Sequence, residues 1–467
     1  MTHNGNIGIG RRTSRSTCRT SFGSIMTLPT DRRRFLAATG SAFAALAASG
    51  CMRTPLNAAA MRPGLGFGAL QPDPAGILDL PQGFTYRVIS SLGDAMHDGF
   101  TVPDRADGMG CFDLGDGRIA LVRNHELMPT NDGGGVVGKA FDTQARSLVP
   151  LPGGTTTLVL DAATLELQGQ HRSLAGTIRN CAGGTTPWGS WLTCEENVAR
   201  ADGKINQDHG WVFEVPATAT GLVDPVPLKA MGRFNHEAAA VDPATGIVYL
   251  TEDMKDSLLY RFIPRTPGRL ADGGRLQALA LADGPADTRN WDGRTGAVRG
   301  QARAVRWIEL DDVESPNDDL RLRGAAAGAA IFARGEGIHM GEGELFFCCT
   351  SGGAAGLGQI FRLRPSASGN ADRLDLFFES EGKDQFDYGD NLTVGPNGHL
   401  VVCEDQYTET VANHLRGITP EGEAYPIALL RQQTELAGAC FSPDGRTLFV
   451  NFYSPARTIA ITGPWMA

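Results

Sequence analysis

Asp390-Asn391-Leu392-Thr393-Val394-Gly395-Pro396-Asn397-Gly398-His399-Leu400-Val401-Val402-Cys403-Glu404-Asp405-Gln406 holds two short apolar runs around a Gly-Pro-Asn-Gly turn, with polar acids at both outer ends. Such a stretch predicts a β-hairpin. Gly115-Asp116-Gly117, Asp242-Pro243-Ala244-Thr245-Gly246 and Ser442-Pro443-Asp444-Gly445 punctuate apolar runs in the same way. Superposing these hairpins gives a unit of about eighteen residues in six copies: Asp107 to Glu126, Asn180 to Asn197, Asn235 to Met254, Glu336 to Gly352, Asp390 to Gln406, and Ala437 to Tyr453. Strand-like runs between the copies, such as 210–215, 257–263, 358–363 and 373–379, supply enough chain to complete four-stranded blades. An all-β chain organised as a six-bladed β-propeller is expected, one domain over 71–467 with a long insertion around 264–334.

The ends of the copies are the informative positions. The start of a hairpin's first strand lies beside the end of its second, and in a propeller those edges converge on the central channel. They carry Asp107 with Asn124-His125-Glu126, Cys181 with Glu195-Glu196, Asn235-His236-Glu237 with Glu252-Asp253, Arg334 and Glu336, and Asp390-Asn391 with Glu404-Asp405. The last copy ends in Asn451. Taken singly, each acid reads as a turn residue facing water. Recurrence in register reads as a cluster of like charge that needs cations or protons to neutralise it. Oxygen ligands suit hard ions such as calcium, and a Cys181 thiolate would add a softer transition metal.

Composition agrees with an extracytoplasmic cation-binding body. Lys and Arg number 42 against 52 Asp and Glu, but residues 1–50 hold seven of the basic residues and one of the acidic ones, leaving −16 for residues 51–467. That charge argues against a nucleic-acid partner. No apolar run reaches the roughly 20 residues that span a bilayer. Arg32-Arg33-Arg34-Phe35-Leu36 followed by an Ala-rich run has the order of a twin-arginine export signal over 1–50, with Met26 an alternative start and 51–70 a linker. Export to the periplasm or outside the cell by the twin-arginine machinery is therefore expected. Cys51 is a candidate for lipid attachment, and cleavage near Ala58-Ala59-Ala60 is the alternative. With Cys18 and Cys51 in the amino-terminal segment set aside, the other seven of the nine cysteines lack CxxC spacing, which excludes a zinc ribbon, and most are expected to be small buried hydrophobes. Cys348 and Cys349 should pack on opposite faces of a strand. No GxSxG elbow, HExxH, P-loop or EF-hand loop is present.

Residues 179–197, Arg-Asn-Cys-Ala-Gly-Gly-Thr-Thr-Pro-Trp-Gly-Ser-Trp-Leu-Thr-Cys-Glu-Glu-Asn, resemble the signature of PhoX-type bacterial alkaline phosphatases. The resemblance extends over Leu80 to Phe84, Val122 to Glu126, Gly232 to Ala238, Arg334 to Gly337 and Asp390 to Leu392. It implies a periplasmic phosphatase on a β-propeller with iron and calcium as cofactors and small phosphorylated substrates, and a monomer is expected. It further implies Cys181 as an iron thiolate, Glu196 as a metal ligand, Arg334 as the phosphate-gripping catalytic arginine and Glu336 as a calcium ligand. Glu126, Glu237, Glu252, Asp390 and Glu404 complete the implied ligand set. With no Ser, Thr or Asp singled out as a covalent nucleophile, a metal-bound oxygen is the expected attacking group. Two rival readings keep the propeller: a calcium-dependent lactonase or esterase, which needs no essential thiolate, and a non-catalytic calcium-binding envelope protein.

Overall fold

The computed structural model describes residues 65–291, 296–366, 371–406 and 408–466. The export signal, Met26 and Cys51 lie outside the described residues. All six expected hairpins form, each from a pair of antiparallel strands: Ala106–Asp113 with Arg118–His125, Asn180–Thr185 with Ser190–Glu195, His236–Val241 with Val248–Glu252, Gly335–Met340 with Leu345–Cys349, Gly389–Val394 with Leu400–Glu404, and Leu436–Phe441 with Thr447–Phe452. Gly398 and Gly445 close two of the tight turns at φ +79° and +71°, a backbone conformation in which only glycine escapes a steric cost.

The first strand of each hairpin packs against the first strand of the next, and Leu436–Phe441 packs back on Ala106–Asp113, so the six form a closed ring. Further strands extend the hairpins outward into an all-β, propeller-like arrangement. Among the described residues the hydrogen-bonded sheets number five, however, against the six separate blades expected. Two have four strands, one has three, one six and one nine. The nine-stranded sheet arises because the outer strands Arg303–Glu309 and Arg373–Glu379 pair with each other at Arg303↔Leu374 and Ala304↔Arg373, fusing the third and fourth hairpins' sheets edge to edge. The region 264–334 is thus largely structured, with strands Gly274–Leu281 and Arg303–Glu309 and a short helix Leu320–Ala326.

The amino-terminal part is built into the body rather than acting as a linker up to residue 70. Leu70–Gln71 pairs with Leu78–Pro81, and Phe67 stacks edge-on against Phe84 and Trp465 at 4.9 and 5.5 Å. Strand Thr85–Ser91 then completes the last sheet by pairing with Arg457–Thr462 near the carboxyl end. Cores of Leu, Val, Ile and Phe lie between neighbouring sheets, and these aliphatic and aromatic side chains fix the radial positions of the hairpins.

Candidate active site and metal centre

Every hairpin breaks register at one place. Two residues of the first strand oppose one of the second between Ala106 and Met109, Asn180 and Gly183, His236 and Ala239, Gly335 and Ile338, Gly389 and Leu392, and Ala437 and Cys440. A bulge of this kind bends the strand and re-aims a side chain. The first bulged residues are Asp107, Cys181, Glu237, Glu336, Asp390 and Gly438, and all but the glycine line one central cavity. Small residues follow at most of these positions because neighbouring strands touch there: a Cβ on Gly108 would come within 2.5 Å of the Ala182 Cα. Opposite the bulges sit Asn124, Cys194, Thr251, Cys348, Cys403 and Val450, so three buried thiols fill one small compartment repeated around the ring. All seven described cysteines are unpaired, and Cys348 and Cys349 enter different cores as expected.

A second repeated position lies just past each hairpin's closing pair: Glu126, Glu196, Asp253, Thr350, Asp405 and Tyr453, all cavity-lining. Their backbone N–H groups donate, at 2.9 to 3.2 Å, to the carbonyls of Arg105, Arg179, Asn235, Arg334, Tyr388 and Glu435. Arg105, Arg179, Arg334 and Tyr388 take φ between +52° and +57°. A non-glycine residue there costs about 1 kcal/mol or more, a strain that persists where structure around it dictates the conformation. Three of these four strained residues are arginines that face the cavity.

The cavity, of about 620 Å³, is lined by nine carboxylates, one thiol and three arginines. Two groups of donor atoms each fall within 4.8 Å of one another, Glu126 with Cys181 and Glu196, and Glu237 with Glu336 and Asp390. The Cys181 Sγ joins them, 3.3 Å from Glu237 Oε1 and 3.7 Å from Asp107 Oδ2. Arg179 bonds Glu126 at 2.5 Å and Glu196 at 3.0 Å. Arg334 makes a two-point bond to Asp253, 2.7 Å on each arm, and reaches Glu336 at 3.1 Å.

Burial, reinforced by neighbouring carboxylates, holds Asp107, Glu237 and Glu336 well above the usual carboxylate range. Glu196 is raised too, chiefly by burial and against the pull of Arg179, and Asp390 is pushed up by burial and then Asp405 to about 8. Burial, then Asp107 and Glu237, raises the Cys181 thiol. Asp107 Oδ1 and Glu237 Oε2 are buried with no hydrogen-bond partner among the described residues. Orphaned oxygens in a cluster that cannot ionise unaided are what a cation site requires, so the donor set fits bound metal.

Cys181, Arg334, Glu126, Glu196, Glu237, Glu336 and Asp390 therefore converge, whereas Glu252 and Glu404 do not. Glu252 accepts from the Tyr260 hydroxyl at 2.7 Å and lies 3.5 Å from Arg321. Glu404 accepts from Arg416 at 2.7 Å, pairs with His414 at 3.0 Å, and takes the backbone N–H of Asp387. Successive strand side chains point to opposite faces, so the acid that closes the hairpin faces away and the next one faces in. Glu195 follows the same rule, buried on His209 at 2.6 Å and the Gly210 amide at 2.9 Å while Glu196 lines the cavity. Of the acid doublets at the hairpin ends, the expected ligand is the cavity-facing member in Glu195-Glu196 and the outward member in Glu252-Asp253 and Glu404-Asp405, where Asp253 and Asp405 line the cavity instead. Arg105, Arg179, Glu435 and Tyr453 also line it, and the position flanking each hairpin is the signal that could have found them. Asn451 faces a neighbouring strand, donating to the Asp107 carbonyl at 2.6 Å.

The fold and site together define a class, that of all-β, propeller-like proteins with a buried cavity of acids, one thiol and three arginines at the centre of the ring. The sequence matches the alkaline phosphatase PhoX family over residues 65–172 and 160–456, and the chain belongs to that family. Membership makes it a phosphoric monoester hydrolase. Among solved structures it is similar to Pseudomonas fluorescens PhoX in complex with vanadate, a transition state analogue, at 20% identity and a TM-score of 0.66, covering 85% of this chain and 98% of that one. It also matches a gluconolactonase from Xanthomonas campestris at 14% identity and a TM-score of 0.36, covering 85% and 98% respectively. No curated protein matches.

Proposed function

We propose that this chain hydrolyses small phosphomonoesters in the central cavity with iron and calcium as cofactors. The observation that carries the reading is the convergence of two three-residue donor groups beside Arg334. The thiolate-containing set, Glu126, Cys181 and Glu196, suits iron, and the all-carboxylate set, Glu237, Glu336 and Asp390, suits calcium. When bound, such cations offset charge on phosphoryl oxygens and acidify water. Arg334, oriented by its two-point bond to Asp253, presents its guanidinium to the phosphoryl group in a single orientation, which favours in-line geometry over mere capture. Arg179, paired with both Glu126 and Glu196, offsets part of the negative charge of the thiolate-containing set.

The six in-register hairpins support counting six blades, with the nine-stranded sheet read as two blades joined at their outer strands. The twin-arginine motif supports folded export, with a periplasmic or secreted monomer as product and Cys51 as a point of lipid attachment. Elemental analysis of the exported protein, beside hydrolysis of para-nitrophenyl phosphate at alkaline pH with calcium, tests the assignment. Iron, calcium and turnover are expected together, and Cys181→Ala should lose iron and turnover at once. A Cys181→Ala variant with full activity would overturn the iron assignment. Calcium without iron and without turnover would overturn the phosphatase reading.

A further inference from the structure

The three cavity arginines occupy one repeat position and share one strained backbone conformation, but their side chains are not equally engaged. Arg179 is tied to Glu126 and Glu196, and Arg334 to Asp253 and Glu336. Arg105 makes no ion pair among the described residues. Its Nη1 donates to the Tyr453 hydroxyl at 3.2 Å, and its guanidinium lies 5.8 Å from the centre of that ring. The neighbouring carboxylate, Asp104, is turned the other way, accepting from the Ser454 hydroxyl and the Ala456 amide. Arg105 is half-buried at the cavity wall and its positive φ of 55° commits the backbone to this placement.

The ring order then fixes what Arg105 can reach. Arg105 precedes the first hairpin and Arg334 the fourth, and in a closed ring of six these stand on opposite sides. A leaving group that extends across the cavity from a phosphoryl group held by Arg334 would meet the opposite wall, where Arg105 stands. We propose that Arg105 is a specificity residue that binds a second anionic group on the leaving group, so that the preferred substrates are phosphomonoesters bearing an additional carboxylate or phosphate. The inference rests on the phosphatase reading above. A guanidinium with only a phenol and a ring face for partners has donors to give to a planar or tetrahedral anion, and partial burial makes that pairing count for more than it would in open water.

Glycerol phosphate and phosphoglycerate share a three-carbon skeleton and differ in the second anion, so they make a matched pair of probes. The wild-type protein should favour phosphoglycerate in kcat/KM by about tenfold or more, the size of one charge-assisted contact. Arg105→Gln should bring the ratio to within about twofold, chiefly through KM for phosphoglycerate, and Arg105→Lys should keep part of the preference. A ratio unchanged by Arg105→Gln would overturn the proposal, as would an equal fall for both esters, which would place Arg105 on the transferred phosphoryl group. If the wild type hydrolyses neither ester, its action on para-nitrophenyl phosphate decides separately whether the phosphatase reading stands. The rise in melting temperature given by each ester then decides this inference: a larger rise with phosphoglycerate that Arg105→Gln removes supports it, and equal rises sink it.

Discussion

Glu252 and Asp253 are chemically alike and adjacent, yet one faces the interior of a sheet and the other faces the cavity. Their substitutions should therefore separate. Glu252→Gln disturbs the partners of the Tyr260 hydroxyl and of Arg321, and is expected to cost about 1–3 kcal/mol of stability while leaving metal content and turnover near wild type. Asp253→Asn removes one arm of the two-point hold on Arg334, and kcat/KM for a phosphomonoester should fall by about ten- to a hundredfold with little change in melting temperature. Parallel denaturation and kinetic measurements check both, and the opposite pattern would return Glu252 to the site. The sequence offered the acids of this pair but not the choice between them. Which residue of a doublet faces inward depends on where the hairpin's last backbone pair falls, and the bulge that resets the register leaves no mark of its own in the residues.

At the level of the element, the six turns were legible because Gly, Pro, Asn and Asp have specific backbone reasons to sit there. The bulges were not, though their shadow is present in the small residue that occupies the second bulged position in five of the six. Gly337 shows why that residue matters: a Cβ there would meet the Asn391 Cα and the Asp390 carbonyl oxygen at 2.7 Å, both belonging to the next hairpin. Gly337→Val must push the fourth and fifth hairpins apart, and Glu336 and Asp390 with them. A loss of about 2 kcal/mol or more is expected from the overpacking. Calcium content should drop with it even at temperatures where the variant stays folded, because the separation of the two carboxylates is itself changed. Calcium retained at wild-type level in a folded Gly337→Val protein would show that the bulge positions are not what spaces the donors. The strained arginines belong to the same geometry, since a left-handed residue before four of the six bulges lets the chain enter the ring and still present its carbonyl to the hairpin's far end.

The described residues form a ring whose hairpins contact their neighbours and whose last sheet is completed by strand Thr85–Ser91 from the amino-terminal part. Five of the six hairpins send a carboxylate or thiol from the bulge toward the axis, so the centre is where like charge accumulates and where cations would tie the hairpins together. Sequence patterning conveyed the ring and its acidic mouth, because both follow from repetition. It did not convey the fused nine-stranded sheet, since the pairing of Arg303–Glu309 with Arg373–Glu379 joins segments about seventy residues apart and spans only two residue pairs. Stripping the metals should expose the central repulsion in a pH-dependent way. Asp390, raised from 3.8 to about 8, binds its proton more tightly folded than unfolded. The contribution to stability from that proton is therefore present at low pH and is lost as pH climbs from about 4 through about 8. Asp107, Glu237 and Glu336 shift in the same direction. Chelator-treated protein should then melt at progressively lower temperature over that window, whereas the loaded protein, whose carboxylates are ionised and paired with cations, should hold its melting temperature. Melting curves of the two forms should diverge as pH rises and be restored to coincidence by adding calcium and iron back. Parallel curves, offset by a constant amount, would mean that the cations stabilise the ring without relieving the repulsion among these buried acids.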